Sequence, residues 1–256
     1  MSAPELAALR RPGFVDGIDV SQVQGKIDWA RVAEAGFRFA IIKVSEGATY
    51  CDPRALENLA GARAAGLYTM VYGFARPSQG NPSAQVERMW NCSGDIMPAR
   101  AVLDLESAPE HWTAAQKVDF GVAFADAWRE YSILEAIAYT YPSFAQGMQP
   151  NLALTPRLAL CPLWIAHYAS TTVGWVPPVG FRPIVPKPWD AWTMHQYSGN
   201  GGFRVPGVAG DCDRNLFNGD EDDLRRFFGF PDPDVDPTST RIAYAMPPMV
   251  SYRDDE

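Results

Sequence analysis

No stretch of this chain comes near the ~18–20 consecutive apolar residues that a membrane-spanning helix requires. The opening residues, MSAPELAALRRPGF, hold no basic start followed by an apolar run, so no secretory signal is recognised in them. Cysteine is scarce: Cys51, Cys92, Cys161 and Cys212 are the whole supply, and no two form a C-x-x-C pair, which speaks against a structural zinc site. Four cysteines in a domain of this size, with no secretory signal in view, read as free and buried thiols, with disulfides as the alternative in any of three pairings. The histidines, His111, His167 and His195, lack metal-ligand spacing and read as packing or cleft residues. No metal or other cofactor is therefore expected.

Positive charge is also in short supply, 22 Lys and Arg against 30 Asp and Glu, for a net charge of −8. The imbalance is local. Residues 1–210 hold 17 basic against 18 acidic side chains, whereas residues 211–256 hold 5 against 12. A neutral body with an acidic end lacks the basic face that phosphate binding needs, which excludes nucleic acid as a partner.

What is present is a core. Hydrophobic residues make up 47% of 256 positions, enough for one large α/β domain. Strand-like runs at 15–21, 37–47, 67–75, 100–107 and 135–141 alternate with helical segments. Helix starts are legible at Asp28, Asp52-Pro53, Asn81-Pro82 and Thr113-x-x-Gln116, the last a capping box opening a helix to about Tyr131. Helix stops stand at Gly36 and Gly66. Beyond Tyr141 the rhythm changes. Strands are predicted at 162–168 and 191–198, with a last one within 203–213 and a final helix near 220–228, but the links are rich in Pro and Gly.

Five βα units followed by three strands with few helices predict an α/β fold, an irregular TIM-like barrel of parallel type. The alternative is a doubly wound open sheet. It is disfavoured because no Gly-rich phosphate turn follows the first strand, and Gly199–Gly202 reads as a plain loop. The domain organisation expected is an arm at 1–13, a barrel at 14–229 and a Pro/Asp-rich tail at 230–256. That tail carries a short apolar patch, IAYAMPPMV.

In such a barrel the chemistry lies at the C-terminal strand ends. Those ends supply Asp19, Glu46, Asp104, Glu106, Tyr139, Tyr141, His167, Tyr168, Gln196, Tyr197 and Asp213. Carboxyls that move protons and rings that stack on sugars suit glycoside chemistry. Asp104 and Glu106 form the sharpest pair. At i and i+2 on a strand they share one face about 6.5 Å apart, so both resist ionising together and one can act as an acid. The bland alternatives are a solvated strand end for this pair, a turn carboxylate for Asp19 and a loop aspartate for Asp213. Glu46 could simply pair with Lys43 or a cleft arginine. Trp164, Trp175, Trp189 and Trp192 read as core or cleft wall, with one or two touching sugar.

GIDVSQVQG (17–25), KVSEG (43–47), YGFAR (72–76), VLDLE (102–106), LWIAHYAS (163–170), HQYS (195–198) and DCDRN (211–215) stand in the order and spacing of the Chalaropsis-type lysozymes. Over residues 14–229 the chain thus resembles glycoside hydrolase family 25. The resemblance implies a muramidase that cuts the β-1,4 bond from N-acetylmuramic acid to N-acetylglucosamine in peptidoglycan, retains configuration and needs no metal. By position, Glu106 matches the proton donor. Asp104 matches the carboxylate supporting the substrate's N-acetyl group as internal nucleophile, and Asp19 and Asp213 match two further acids. Glu46, Tyr72, Tyr139, Tyr141, Trp164, Tyr168 and Gln196 are the expected substrate contacts. Gly73, where the family usually carries His, and Gln22 and Val23, where bulky residues are common, are departures expected to alter the cleft.

Family members often serve as phage lysins or virion-borne enzymes, which implies action on the bacterial wall after release by lysis, through a holin or on a particle. The tail's apolar patch, too short to fold alone, is expected to bind a partner such as a virion protein or another copy of the chain, the bland alternative being that it docks on its own barrel. The competing readings are an inactive wall-binding barrel and a glycosidase acting on chitin-like polymers.

Overall fold

A computed structural model describes residues 13–79, 81–94, 99–170, 175–178, 180–199 and 204–229. Residues 1–12 of the expected arm, 200–202 of the glycine stretch and the whole 230–256 tail lie outside the described residues.

The strands are β1 (Phe14–Val20), β2 (Phe39–Glu46), β3 (Tyr50–Cys51), β4 (Tyr68–Phe74), β5 (Ala101–Asp104), β6 (Ile137–Thr140), β7 (Leu163–Ala166), β8 (Met194–Ser198) and β9 (Asp213–Asn218). The helices are α1 (Trp29–Glu34), α2 (Ala55–Ala64), α3 (Pro82–Cys92), α4 (Ala114–Trp128), α5 (Pro142–Gln146), α6 (Pro156–Ala159) and α7 (Glu221–Phe227). Pairing of β1 with both β2 and β9 closes an eight-stranded ring, with β3 appended to β2 as a short hairpin. Helices follow β1 through β6, and among the described residues none joins β7 to β8 or β8 to β9. The chain is therefore the irregular β/α barrel that its sequence predicts.

Local chemistry explains the regular half. Asp28, Asn81 and Thr113 each accept a backbone N–H at a helix start, and Thr113 and Gln116 form the reciprocal capping box. Gly36 and Gly66 follow α1 and α2 with φ of 96° and 81°, a conformation only glycine adopts without strain. Strand alternation then sorts the side chains. Ile18, Val20, Ile42, Leu103 and Ile165 face the helices, while Val15, Phe39, Ile41, Met70, Val102, Ile137 and Phe217 fill the barrel interior. Gly17 makes room for this: a Cβ there would lie 2.4 Å from the Phe39 ring. Below them Leu224 and Phe228 of the α7 end close the floor, with Phe228 5.6 Å edge-on to Phe39.

Five expectations change. The last strand is not within 203–213 but at Asp213–Asn218. It is antiparallel to both β8 and β1, so the ring is not all parallel. Asp52 does not cap α2. That helix starts at Ala55, and the Asp52 carboxylate instead accepts the N–H groups of Gln22 and Arg54, both at 2.9 Å. The cysteines are not all free. Cys51 and Cys92 form a disulfide with Cα atoms 5.6 Å apart, tying β3 to the end of α3, while Cys161 and Cys212 are free and buried. The helix opened by Thr113 ends at Trp128 rather than near Tyr131.

Candidate active site

Above the apolar interior the same inward-facing positions turn polar. Asp19, Tyr72, Phe74, Asp104, Glu106, Tyr139, Trp164, Gln196 and Asp213 line one cavity of about 160 Å³ at the barrel mouth. Asp104 ends β5. Leu105 turns outward into the helix layer and its N–H bonds Tyr139 O at 3.0 Å, which keeps strand geometry one residue longer and returns Glu106 to the mouth. Asp19 is the last inward residue of β1, one before its end at Val20, and Asp213 begins β9. Because β9 runs backwards, its first residue and not its last reaches the mouth, opposite Asp19 in register.

A buried network holds Asp19. Its Oδ2 accepts from Asn215 Nδ2 at 2.7 Å and from Gln196 Nε2 at 2.9 Å. Trp164 Nε1 donates to Asn215 Oδ1 at 2.9 Å, while the hydroxyls of Tyr139 and Tyr168 donate to Gln196 Oε1 at 2.8 and 2.6 Å. Each amide thus points its nitrogen at the acid because rings and hydroxyls occupy its oxygen.

The four carboxyls share little solvent. Burial pushes Asp213 up to about 9, helped by the charge and hydrogen bond of Asp19, while burial raises Asp19 against the hydrogen bonds of Asn215 and Gln196. Burial and then the charge of Glu106 hold Asp104 well above the usual range. Burial and then the charge of Asp19 raise Glu106, against Lys43 and Arg76. The site is built to keep protons on acids near neutrality.

Two further cavities flank this one. Tyr141, Pro142, His167, Tyr168 and Ile184 line a volume of about 600 Å³ that shares Glu106 and Tyr139 with the acid pocket. On the other side, Ser21, Gln22, Lys43, Glu46, Tyr50 and Asp52 line one of about 380 Å³. Lys43 lines it and Phe74 lines the acid pocket, and Lys43 Nζ and Arg76 Cζ sit 5.1 and 4.5 Å from the Phe74 ring centre. Glu46 belongs to this outer cavity and is apart from the other acids. Lys43 at 2.7 Å and Arg76 at 2.8 Å pair with it, and their hydrogen bonds outweigh its burial and lower its pKa. A bulge between Lys43 and Ser45 reverses the strand alternation, which is how Glu46 joins Lys43 on the groove side.

The bulge also settles the departures. A Cβ on Gly73 would meet Ser45 Oγ at 2.9 Å and Met89 Sδ at 3.1 Å, so this position faces α3 and does not shape the cleft. Gln22 and Val23 do sit on the outer cavity, and Val23 is 81% exposed. Of the tryptophans, Trp164 lines the acid pocket, whereas Trp175, Trp189 and Trp192 pack in the helix-side layer. Sequence reasoning missed Asn215, Phe74 and Ile184, whereas Lys43 is the partner it offered for Glu46 and Arg76 is the cleft arginine. Asn215 was open to it, two residues from Asp213 and so on the same strand face. Among the described residues no group of three or more His, Cys, Asp or Glu is arranged to hold a metal ion.

A groove of acids and aromatic rings across the strand-end face of a β/α barrel defines a glycoside hydrolase. The model of the glycosyl hydrolases family 25 matches residues 18–208. Lysozyme M1 of Streptomyces globisporus is 33% identical over 219 residues, covering 80% of this chain and 68% of that protein. The N,O-diacetylmuramidase of Chalaropsis sp is 30% identical over 226 residues, covering 83% and 98%. Among solved structures, the lysozyme of Streptomyces coelicolor superposes with TM-score 0.72 at 32% identity, covering 84% of this chain and 96% of that one. A muramidase from Trichobolus zukalii gives 0.69 at 28%, covering 84% and 98%. The chain belongs to glycoside hydrolase family 25 and is a peptidoglycan-hydrolysing enzyme of the lysozyme, or muramidase, kind.

Proposed function

We propose that this muramidase cleaves the β-1,4 bond between N-acetylmuramic acid and N-acetylglucosamine with retention of configuration, using the substrate's own N-acetyl group as nucleophile. The observation that carries this reading is Asp104 Oδ1, a buried carboxylate oxygen with no hydrogen-bond partner among the described residues. A lone buried acceptor is costly unless a ligand satisfies it, and the acetamido N–H is a donor of the required kind. The acetyl oxygen attacks C1 as the glycosidic C1–O bond breaks, and Glu106 gives its proton to the leaving oxygen. The positive ring so formed favours the anion on Asp104. Water then adds to C1 as the bond from C1 to the acetyl oxygen breaks, and gives a proton to Glu106. The Asp19–Asn215–Gln196 network, with Asp213, holds the floor on which the sugar rests. Tyr72, Tyr139 and Trp164 wall it, and Tyr141 and Tyr168 wall the leaving-group side.

The test is the first-formed product. NMR of fresh digests is expected to show the β-anomer, and Asp104→Asn to lose turnover by roughly 10²-fold or more with no covalent sugar on the protein. An α-anomer or a trapped adduct at Asp104 sinks the mechanism. Muramic acid at the new reducing ends separates this activity from cleavage of chitin-like polymers.

We further propose that residues 14–229 are the whole catalytic unit and that 230–256 serves placement, binding a virion protein or a second copy, in a phage lysin or virion-borne enzyme. The alternating Pro and Asp of PDPDVDP support an extended linker. A chain ending at Gly229 is expected to hydrolyse soluble wall fragments at the full-length rate. Loss of folding in that variant assigns the tail to the barrel instead.

A further inference from the structure

His167 follows β7, and its ring does something the acid chemistry does not use. The backbone N–H of Ile184 donates to His167 Nδ1 at 3.2 Å. The His167 backbone is fixed on both sides, its N–H on Gln196 O at 3.0 Å and its carbonyl accepting from His195 Nε2 at 2.9 Å. The ring is therefore a fixed bracket on the barrel rim, and Ile184 belongs to a Pro-rich segment with no secondary structure of its own. Phe181 completes the contact, 5.9 Å from the His167 ring and stacked at 5.5 Å and 18° on His195, with Trp175 edge-on at 5.4 Å. Ile184 is 56% exposed and walls the cavity of about 600 Å³ opposite Tyr141 and Tyr168.

That cavity shares Glu106 with the acid pocket. If Glu106 protonates the leaving oxygen, as proposed above, the departing half of the glycan lies here. On that reading, we infer that His167 is a positioning residue for the leaving-group side of the groove: its neutral imidazole holds the Ile184 wall at the spacing the departing sugar needs.

The bond dictates the tautomer. Nδ1 accepts, so the ring proton is on Nε2, and an imidazolium, which has no acceptor, cannot hold Ile184. Burial lowers the His167 pKa from its ordinary value. The sign follows: the bracket is intact above the folded pKa and lost as pH falls through it, below about 6.5. Other titratable groups face the same space. They are Glu106, Tyr139, Tyr141 and Tyr168 in the cavity, His195 on β8, and Arg182 on the segment itself. Glu106 titrates too, so the parent's pH profile mixes both effects and a non-titrating acceptor is needed to separate them.

His167→Asn supplies that acceptor, because Asn Oδ1 stands where Nδ1 does. His167→Leu removes it. With full-length protein and soluble wall fragments, H167L is expected to raise KM about fivefold with a smaller change in kcat, the effect of one lost hydrogen bond on binding. The parent is expected to show an acid-side rise in KM below pH 6.5, and H167N to restore KM and to lose that rise. An unchanged KM in H167L, or an H167N as impaired as H167L, overturns the inference. Should H167L fail to fold, ¹⁵N-histidine NMR of the parent reads the tautomer directly, and a proton on Nδ1 overturns it equally. Glu106→Gln run in parallel keeps the two readings apart. Near-parental turnover there refutes the acid, whereas an inactive E106Q beside an unaffected H167L refutes only the bracket.

Discussion

The two ends of one barrel interior are made by the same strands and obey opposite rules. At the floor, Val15, Phe39, Ile41, Met70, Val102 and Phe217 meet Leu224 and Phe228 with almost no polar atom among them. Two residues along, β4 gives Tyr72, β5 gives Asp104 and β9 gives Asn215, and four along, β1 gives Asp19 and β9 gives Asp213. The floor gains from every side chain it removes from water, roughly 1.5–3 kcal/mol each. The mouth spends part of that gain by keeping four carboxyls within one small cavity, where burial raises all of them and neighbouring carboxylate charge adds to it at Asp104, Glu106 and Asp213. The disulfide sits on the mouth side of the barrel. Cys51 is joined to Cys92 next to Tyr50, which lines the outer cavity, so a covalent tie fixes the hairpin that borders that cavity.

The largest expected separation of the two ends is Glu106→Gln. It removes a transferable proton and little else, so turnover on purified walls should fall about 10²–10⁴-fold with an unchanged melting temperature. Near-full activity would remove Glu106 from the chemistry. Phe39→Ala breaks the other end. With the ring fully buried against Gly17 and Phe228, the loss is expected at about 3–5 kcal/mol in denaturant unfolding. Whatever fraction stays folded should keep the parental pH profile, and an altered profile would mean that the ends are coupled.

Asp213→Asn is the subtlest and sharpens the comparison most. With its pKa near 9 folded and 3.8 as the ordinary value, the native state binds more protons than the unfolded chain in between. Stability from this group is complete below about pH 4 and is lost as pH rises through about 9. The variant should flatten the decline of melting temperature between pH 5 and 9. A slope as steep as the parent's would place the shared proton elsewhere.

These poles also account for what was legible in the sequence. Helix caps are local chemistry, so Asp28, Asn81 and Thr113 announce their helices without help from the fold. Apolar strands read equally well, because both layers they face are apolar. β9 was misplaced for the converse reason. Its inward residues Asp213 and Asn215 are polar for the sake of the site, and its outward Arg214 is buried between the Phe37 and Tyr197 rings, so DRNLFN lacks the apolar alternation that marks a strand. The acids were found as strand ends, but their common pocket depends on ring closure, which no local pattern encodes. The Cys51–Cys92 pairing depends on β3 docking against α3 across 41 residues, and nothing in the spacing singles it out. Glu46 was found as a strand end, and strand parity alone would have turned it away from the groove; the bulge between Lys43 and Ser45 brings it beside Lys43.

The backward-running β9 has one more consequence, and it concerns time. Asn215 reaches Asp19 across 196 residues, and β9 is the stave that closes the ring against β1. A chain emerging from the ribosome displays Asp19, Asp104 and Glu106 long before it has Asp213, Asn215 or a sealed barrel edge. Among the described residues, the last strand to be made thus completes, with Asp213 and Asn215, a site that the first begins with Asp19.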